Sequence, residues 1–508
     1  MTKARTVADV IRYLCPQRAD VTGEEESDYL SSLESDSRKV TAGAAFIAVP
    51  GAHDGHAYIK DALLKGARLV IVTKEEAVPD AVKADPLYKE RALVPEIPVR
   101  VGEFAAWFYD SPSLKMRVLG VTGTNGKSTV THMLASLLEA EGKKCAIFGT
   151  LGNGFLGSLH KSPNTTLEPV ELQKELAAMA DQGATWVAME VSSIGVCEGR
   201  VEGIFFRGGG FTNLTRDHLD YHKTEAAYFE AKKRFLKTVP ARNLCVNDND
   251  PRAQEIYGLL PGSVAYGVGP RPPAFIDQKY VWVNKVSYLP AGMKLSILSS
   301  WGEGECTLNL LGRFNAENFA CALAMLLTHG HPLPVLLKAA SRIKPVPGRM
   351  ECFVREGLPR LIVDYAHTPD GIECALKAVR EHSQEGRVTI VMGCGGDRDP
   401  GKRAIMAMKA SVYADRLIFT NDNPRTEDPE LILSDMLLGI PKSAPQPLVI
   451  KDRKEAILTA FREAGPQDVV LIAGKGHEDY QIFKDRTEHF SDREIASTLL
   501  QEAEVSHA

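Results

Sequence analysis

The residues of this 508-residue chain best placed to do chemistry are Gly123, Thr124, Asn125, Gly126, Lys127, Ser128 and Thr129. They follow an apolar strand pattern, Met116 to Leu119. They precede Val130, Met133, Leu134, Leu137 and Leu138, whose i, i+3, i+4, i+7, i+8 spacing predicts one face of a helix. Strand, glycine loop and a helix opening on Lys-Ser form the setting of a phosphate-binding loop. Glycines let backbone N–H groups approach phosphate oxygens, and the helix N-terminus adds partial positive charge there. Lys127 would reach the β and γ phosphates, and Ser128 would offer its hydroxyl to Mg2+. The loop is a variant, because Val121 stands where the strict GxxxxGK[ST] pattern has glycine.

Other polar clusters close apolar runs. Trp186 to Met189 reads as a buried strand ending in Glu190-Val191-Ser192-Ser193, and an acidic residue at a strand end beside such a loop is where a metal carboxylate belongs. A further apolar edge ending at Phe211 leads into Thr215-Arg216-Asp217-His218-Leu219-Asp220-Tyr221-His222, dense in imidazoles and carboxylates. Glu225 to Leu236 reads as a helix, with Lys232 and Lys233 on a solvated face by residue type. Tyr280 to Val283, Met293 to Ile297 and Cys306 to Leu310 alternate and are split by turns such as Pro290-Ala291-Gly292, which predicts a small antiparallel patch. Gly312-Arg313-Phe314-Asn315 opens an apolar helix through Ala320 to Leu327.

The C-terminal third alternates strand and helix. Leu361 to Val363 ends in Asp364-Tyr365-Ala366-His367, and Val388 to Met392 ends in Gly393-Cys394-Gly395-Gly396-Asp397-Arg398. Leu417 to Thr420 ends in Asn421-Asp422-Asn423-Pro424-Arg425, and Val469 to Ala473 ends in Gly474-Lys475-Gly476-His477-Glu478. In open parallel sheets ligands bind beyond the carboxyl ends of strands, so these clusters mark a binding edge.

Length allows about three domains of ~150 residues each. Pro and Ser cluster at Asp110-Ser111-Pro112-Ser113, and Pro345-Val346-Pro347-Gly348 is a second break. The expected architecture is α/β in three domains. Residues 1–112 form a small α/β domain, with strands Ala45 to Val49 and Leu69 to Val72 around a helix near Tyr58 to Lys65. Residues 113–345 form a central nucleotide-binding domain with a parallel sheet and the antiparallel patch, and 346–508 form a Rossmann-like α/β domain. Asp36-Ser37-Arg38, ahead of the first strand, reads from residue type as a solvated turn. A net charge of −5 argues against a general nucleic-acid binder. No apolar run is long enough to span a membrane, and the opening residues lead into no signal-peptide core, so a cytoplasmic protein is expected. Nine cysteines without a CxxC pair fit reduced thiols.

The residues alone therefore imply an ATP-dependent enzyme using Mg2+, with a second substrate held between the central and C-terminal domains. A hydrolase, a kinase and a ligase all satisfy that description.

The motifs taken together resemble the Mur ligase family. Those motifs are Gly123 to Thr129, Glu190-Val191-Ser192-Ser193, Asn213-Leu214-Thr215-Arg216-Asp217-His218, Gly312 to Asn315, Asp364-Tyr365-Ala366-His367-Thr368-Pro369 and Gly474 to Glu478, and their order fits from about residue 30 to 485. The resemblance is to the branch that adds the third residue to a UDP-N-acetylmuramoyl peptide of peptidoglycan. It implies that Gly123, Thr124, Asn125, Gly126, Lys127, Ser128 and Thr129 hold ATP, joined by Asn315, Arg349 and His367. It implies catalytic roles for Lys127, Glu190, His218 and Lys232, and Mg2+ sites made by Ser128, Glu190, His218 and Lys232. Lys232 matches the family lysine carbamylated by CO2, which turns an ammonium into an anionic oxygen donor that a hard cation wants. This overrides the solvated-face reading of that residue. Ser37, Asn164, Thr165, Thr166, Ser192, Glu198, Arg200 and Lys232 would hold UDP-MurNAc-L-Ala-D-Glu. Two positions depart from the family pattern: Ile194 stands where His is common after Ser-Ser, and Glu198 stands where Gln is common.

The incoming amino acid follows from chemistry as well as resemblance. meso-Diaminopimelate differs from lysine by one carboxylate at the far end of its side chain, and arginine's planar fork suits a carboxylate. Asp422-Asn423-Pro424-Arg425 matches the motif of diaminopimelate-adding relatives, with Arg425 on that carboxylate. Arg398, Gly474 and Glu478 would complete the site. Leaving a buried charge unpaired costs enough that discrimination against lysine would reach ~3 kcal/mol or more. The implied reaction forms an acyl phosphate and then an amide, in a monomer whose breaks near 112 and 345 act as hinges. Rival readings are a lysine-adding relative, which lacks that arginine; a folylpolyglutamate synthetase, which lacks the Asp-Asn-Pro-Arg cluster; and a non-catalytic nucleotide-binding regulator.

Overall fold

Strands form where apolar β-branched runs are bounded by glycine or polar breaks, and the burial of successive residues shows which faces are covered. A computed structural model of the chain describes residues 4–18, 21–51, 54–162, 164–269, 278–383 and 385–505. It divides into two compact units. One comprises Met1–Lys127, Gly142–Leu244 and Glu255–Pro261, and the other Ser128–Glu141, Cys245–Gln254 and Gly262–Ala508.

In the first unit, β1 (Leu33–Glu34), β2 (Ala45–Ala48), β3 (Leu69–Val72) and β4 (Ala92–Leu93) make an all-parallel sheet in sequence order. Alternate residues face opposite ways, as strand geometry requires. Ala45, Ile47, Leu69 and Ile71 pack with Val10, Ile11, Leu14, Phe104 and Phe108. Phe46, Ala48, Val70 and Val72 pack with Ile59, Ala62 and Leu63. The same unit holds β5 (Arg117–Thr122), β6 (Cys145–Gly149), β7 (Gly152–Phe155), β8 (Ser158–His160), β9 (Trp186–Glu190) and β10 (Phe206–Phe211) in the order β10-β5-β9-β6-β7-β8. The first four of these are parallel, and β7 and β8 turn antiparallel. The helix after the glycine loop runs Lys127–Ala140, from Ser128 on counted with the second unit, and every position of its predicted apolar face is buried.

In the second unit, β11 (Leu244–Asn247), β12 (Val264–Val268) and β13 (Tyr280–Leu289) are parallel neighbours, and β14 (Gly292–Ser299) and β15 (Gly302–Leu308) continue antiparallel. This is the expected antiparallel patch, with longer strands than the sequence pattern marked. The C-terminal sheet has the order β16 (Glu351–Phe353), β17 (Arg360–Asp364), β21 (Val469–Ala473), β18 (Val388–Met392), β19 (Arg416–Phe419), β20 (Leu448–Val449), parallel except at β16. Leu471 and Ile390 face a core with Leu376, Val379, Met406 and Met436. Val470, Ile472 and Val391 face a second core with Ile457, Ala460, Ala496 and Leu499. Helices therefore cover both faces, the doubly wound arrangement in which strand ends form the binding edge. A hairpin, β22 (Tyr480–Ile482) and β23 (Thr487–His489), follows.

All nine cysteines are free. Among the described residues no helix is long and apolar enough to cross a membrane.

Candidate active site

The phosphate loop is shaped by backbone that only glycine tolerates. Gly123 has φ +147°, and a Cβ there would lie 1.8 Å from Thr212 Oγ1. The segment after β10 braces the loop from outside. Thr124 N and Asn125 N donate to Asn213 O and Oδ1, each at 2.9 Å. Thr124 Oγ1 donates to Thr215 O at 3.2 Å and accepts from Thr215 N at 3.0 Å, while Thr212 Oγ1 donates to Asn125 O at 2.6 Å. Asn213 and Thr215 of the Asn213 to His218 motif thus have a bracing role that their residue types alone did not reveal. Lys127 folds over its own loop, donating to Gly123 O at 3.0 Å and Thr124 O at 2.8 Å. Ser128 follows it in the first turn of the helix.

Glu190 ends β9 and is buried. Thr150 N donates to its Oε1 at 3.0 Å and Thr150 Oγ1 to its Oε2 at 3.3 Å. Gly149 makes room for this carboxylate, since a Cβ there would lie 2.2 Å from Oε1. Thr150 was not legible as a partner, because it lies in a turn between two glycine-flanked strands. His218 is exposed, in a left-handed conformation at φ 52°, with Nε2 3.5 Å from Asp217 Oδ2. Of the other side chains in that dense run, His222 turns inward, its Nε2 2.9 Å from Ser193 Oγ.

The solvated-face reading of the Lys232 helix is overturned. Lys232 is 1% exposed, donates to Gly123 O at 2.9 Å and lies 4.4 Å over the Tyr228 ring. Tyr228, Lys232 and Phe235 share the i, i+4, i+7 stripe that the helix Glu225–Leu236 buries, and position rather than residue type decides the outcome. Burial, helped by the nearby Lys127 charge, holds the Lys232 ammonium well below the usual lysine range. Lys233 does reach the surface region, pairing with Glu230 at 2.6 Å and Glu255 at 2.8 Å. Tyr228 links this helix to the loop, its hydroxyl 3.1 Å from Thr124 Oγ1.

Of the residues expected to hold the muramoyl dipeptide, Thr165, Thr166, Ser192 and Arg200 form one network beside Glu190. Thr166 Oγ1 donates to Glu190 O at 3.0 Å, accepts from Ser192 N at 3.1 Å and meets Ser192 Oγ at 3.1 Å. Thr165 Oγ1 lies 3.0 Å from Thr150 Oγ1, and Asn164 O accepts from Ser162 Oγ at 2.6 Å. Arg200 donates to Thr166 O at 2.8 Å and pairs with both Glu198, Nε to Oε2 at 2.8 Å, and Glu168 at 2.8 Å. The extra charge of Glu198 is thereby taken up by Arg200. Ile194 lies in the helical turn capped by Ser192. Ser37 is itself buried in a short helical turn rather than solvated, with Lys65 Nζ donating to its carbonyl at 2.9 Å, while its neighbour Arg38 is exposed and pairs with Asp36 at 2.8 Å.

In the second unit, the strand-end clusters are laced together. Gly396 N donates to Asn423 O at 2.9 Å, and Arg425 Nη1 donates to Gly396 O at 2.7 Å. Arg425 is held at φ 54°, and Asp397, at φ 53°, accepts from Thr426 N at 3.1 Å and Thr426 Oγ1 at 2.7 Å. Arg398 is exposed beside them. Asn423 Nδ2 donates to Glu478 Oε2 at 2.9 Å, and Asn423 Oδ1 accepts from Ile482 N and from the buried Lys475 Nζ, each at 3.0 Å. Burial pushes the Glu478 carboxyl up, opposed by Lys475. Asp422 is buried, its carbonyl accepting from Gln481 Nε2 at 2.6 Å. Arg349 lies 4.6 Å over the Tyr365 ring, next to His367, whose Nδ1 is 2.7 Å from Tyr365 O. Asn315 is buried at the start of the helix Arg313–Leu327, donating to Leu311 O at 2.8 Å.

Among the described residues no three His, Cys, Asp or Glu side chains converge as a ready metal centre. The expected donors are Glu190, Ser128, His218 and a carbamate on Lys232, mostly hard oxygens of the kind Mg2+ takes. A buried amine whose proton is held weakly is also the form that adds to CO2. The donor chemistry therefore fits the group.

Family models match in three blocks: a Mur ligase catalytic domain over residues 30–111, the Mur ligase middle domain over 121–326 and the Mur ligase glutamate ligase domain over 348–476. With relatives 41–42% identical along nearly the whole chain, these place it within the Mur ligase family, to which it belongs. One such relative is the UDP-N-acetylmuramoyl-L-alanyl-D-glutamate–2,6-diaminopimelate ligase of Vibrio cholerae serotype O1, 41% identical over 479 residues, 93% of this chain and 94% of that one. The ligase of the same name from Alkalilimnicola ehrlichii is 42% identical over 507 residues, 97% and 99%. A solved structure of a UDP-N-acetylmuramoyl-L-alanyl-D-glutamate–2,6-diaminopimelate ligase aligns with a TM-score of 0.69 at 33% identity, over 99% of this chain and 100% of that one.

Proposed function

We propose that this chain is an ATP-dependent amide ligase that joins meso-diaminopimelate to the γ-carboxylate of D-Glu in UDP-MurNAc-L-Ala-D-Glu, during peptidoglycan precursor synthesis. Full-length similarity to enzymes carrying that name supports the activity. The observation that carries the choice of amino acid is Arg425, in the loop after β19, whose guanidinium is fixed against Gly396 in the loop after β18. The reading takes residues 1–112, 113–345 and 346–508 as its three domains, and takes the protein to be a cytoplasmic monomer.

The γ-carboxylate attacks the γ-phosphorus of ATP, giving an acyl phosphate and ADP. The free amine of diaminopimelate then attacks the acyl carbon, phosphate leaves, and the amine's proton is lost to solvent or a base. This chain's share is positioning and charge neutralisation. Lys127 leaves the Gly123 and Thr124 carbonyls for the phosphates, while Asn213 holds the Thr124 and Asn125 N–H groups and so fixes the shape of the loop. Glu190, Ser128, His218 and carbamylated Lys232 would hold Mg2+, which neutralises phosphate charge when bound. Thr150 orients Glu190, Arg200 orients the Thr166 backbone, and Asn315, Arg349 and His367 contact the nucleotide. Arg398, Asp422, Asn423, Pro424, Arg425, Gly474 and Glu478 hold the amino acid.

The test is ADP release by purified protein with Mg2+, ATP, UDP-MurNAc-L-Ala-D-Glu and a panel of amino acids. Release is expected with meso-diaminopimelate and far less with lysine. ATP left intact under all conditions would sink the activity, and equal rates with lysine would sink the substrate.

A further inference from the structure

Behind the Asp422–Glu478 clusters lies an ion pair to which the proposed reaction assigns no role. Arg453 and Asp492 have side chains that are both 0% exposed. The guanidinium grips the carboxylate twice, Nε to Oδ1 at 2.8 Å and Nη2 to Oδ2 at 2.7 Å. Its other contacts are to the backbone at two strand ends. Nη2 also donates to Ala473 O at 3.0 Å, and Nη1 donates to Asn421 O at 3.4 Å. Ala473 is the last residue of β21, immediately before Gly474, and Asn421 immediately precedes Asp422. A Cβ built on Gly474 would lie 2.5 Å from Asp422 Oδ2 and 3.9 Å from Arg453 Nη2. The cation therefore adjoins both loops that carry the expected amino-acid contacts.

Stability alone does not account for this arrangement. Desolvating two charges costs several kcal/mol, and a well-packed apolar pair of similar volume often does as well or better. What an apolar pair lacks is a rigid fork that fixes two carbonyls at a set separation. The anchors are rigid too. Arg453 opens the helix Arg453–Glu463 behind the N-cap Asp452, and Asp492 opens the helix Asp492–Val505. Both helices pack in one core on one face of the C-terminal sheet.

We propose that Arg453, held by Asp492, is a positioning residue for the amino-acid substrate: by pinning the Asn421 and Ala473 carbonyls it sets the spacing between the Asp422–Arg425 loop and the Gly474–Glu478 loop. The inference rests on the assignment of those loops to diaminopimelate. The fork does not touch the substrate and acts through the two loops, as outer-shell partners do at metal sites.

Two variants of the full chain test it, by steady-state ADP release and by thermal melting. Arg453→Lys keeps the charge opposite Asp492 but cannot reach both carbonyls. The paired change Arg453→Leu with Asp492→Leu removes both charges and leaves no donor. In each, KM for diaminopimelate is expected to rise ~10-fold or more. KM for ATP and for UDP-MurNAc-L-Ala-D-Glu is expected to stay within about twofold. A folded variant with the wild-type KM for diaminopimelate overturns the proposal. So does a parallel rise in all three KM values, or failure of both variants to fold, because each outcome assigns the pair to the fold alone. Failure of the substrate reading is separately visible: the wild-type chain would then release no ADP in response to diaminopimelate.

Discussion

Replacing Gly149 by alanine tests the proposed role of the Glu190 carboxylate. The new Cβ would stand 2.2 Å from Glu190 Oε1, where real Cβ contacts essentially never come closer than 3.0 Å, so the carboxylate must retreat by about 0.8 Å. It has little room to do so. Glu190 is 1% exposed and is tied through both oxygens to Thr150. Overpacking of this kind costs ~1–3 kcal/mol of stability. A catalytic group misplaced by ~1 Å can cost ~100-fold in rate. The expectation for Gly149→Ala is a folded protein melting a few degrees lower, with kcat down ~100-fold and a higher Mg2+ requirement, because under the proposed role of Glu190 as a Mg2+ ligand the metal carboxylate moves more than the nucleotide cradle does. Gly258→Ala is the control, since nothing lies within 4 Å of a Cβ there and the residue is helical, so activity should be unchanged. ADP release measured across a Mg2+ titration, with melting curves alongside, reads both effects. A kcat within about twofold of wild type in Gly149→Ala would refute the idea that the site depends on the present position of Glu190.

The remaining expectations concern single side chains. Lys232→Ala should lose ADP release and regain part of it with added short carboxylic acids, which replace the carbamate oxygen; full activity without them would remove the modified lysine from the mechanism. Arg425→Ala should lower kcat/KM for diaminopimelate and narrow its preference over lysine by ~100-fold, the equivalent of ~3 kcal/mol, and an unchanged preference would move selectivity to another residue. Burial, aided by Arg349 and Arg493, pushes the His477 imidazole down to about 4. The unfolded chain, with His near ~6.5, therefore takes up a proton first as pH falls. That contribution to stability is full above pH ~6.5 and is lost as pH falls toward about 4. His477→Gln should melt with a shallower decline between pH 6.5 and 4.5 than wild type, and parallel curves would contradict the burial argument.

The legible parts of the fold are those where local pattern and tertiary environment agree. The strands at 388–392 and 469–473 and the helix at 225–236 fall where apolar runs and their breaks place them, because a strand buried on both faces reads as a continuous apolar run. The meander β6-β7-β8 went unread because Gly152 and Gly154, at φ 128° and 131°, look like loop residues yet carry strand pairing. The strands Leu33–Glu34 and Ala92–Leu93 are too short to show any period. At the site, glycines and clustered polar residues at strand ends were visible as types. Their partners were not. Thr150, Tyr228 and Arg453 are ordinary residues in sequence, made significant by contacts that only the folded chain brings about.

Three of the residues that composition would assign to the surface, Lys232, Arg453 and Lys475, are among the most buried in the chain. Each meets backbone or side chains of a strand-end cluster: Gly123 for Lys232, Asn421 and Ala473 for Arg453, Asn423 for Lys475. A cation is expensive to desolvate, and a core built for stability alone would not hold it. Buried basic groups therefore mark where geometry has been favoured over stability, and here they adjoin the glycine loop at 123–129 and the loops proposed to hold the amino acid. Lys232 carried a sequence signal in its place on the i, i+4, i+7 stripe of Tyr228, Lys232 and Phe235, and Lys475 in its place within the Gly474 to Glu478 cluster. Arg453 carried none, because its partner Asp492 lies 39 residues away and only the packing of two helices on one face of the sheet brings them together.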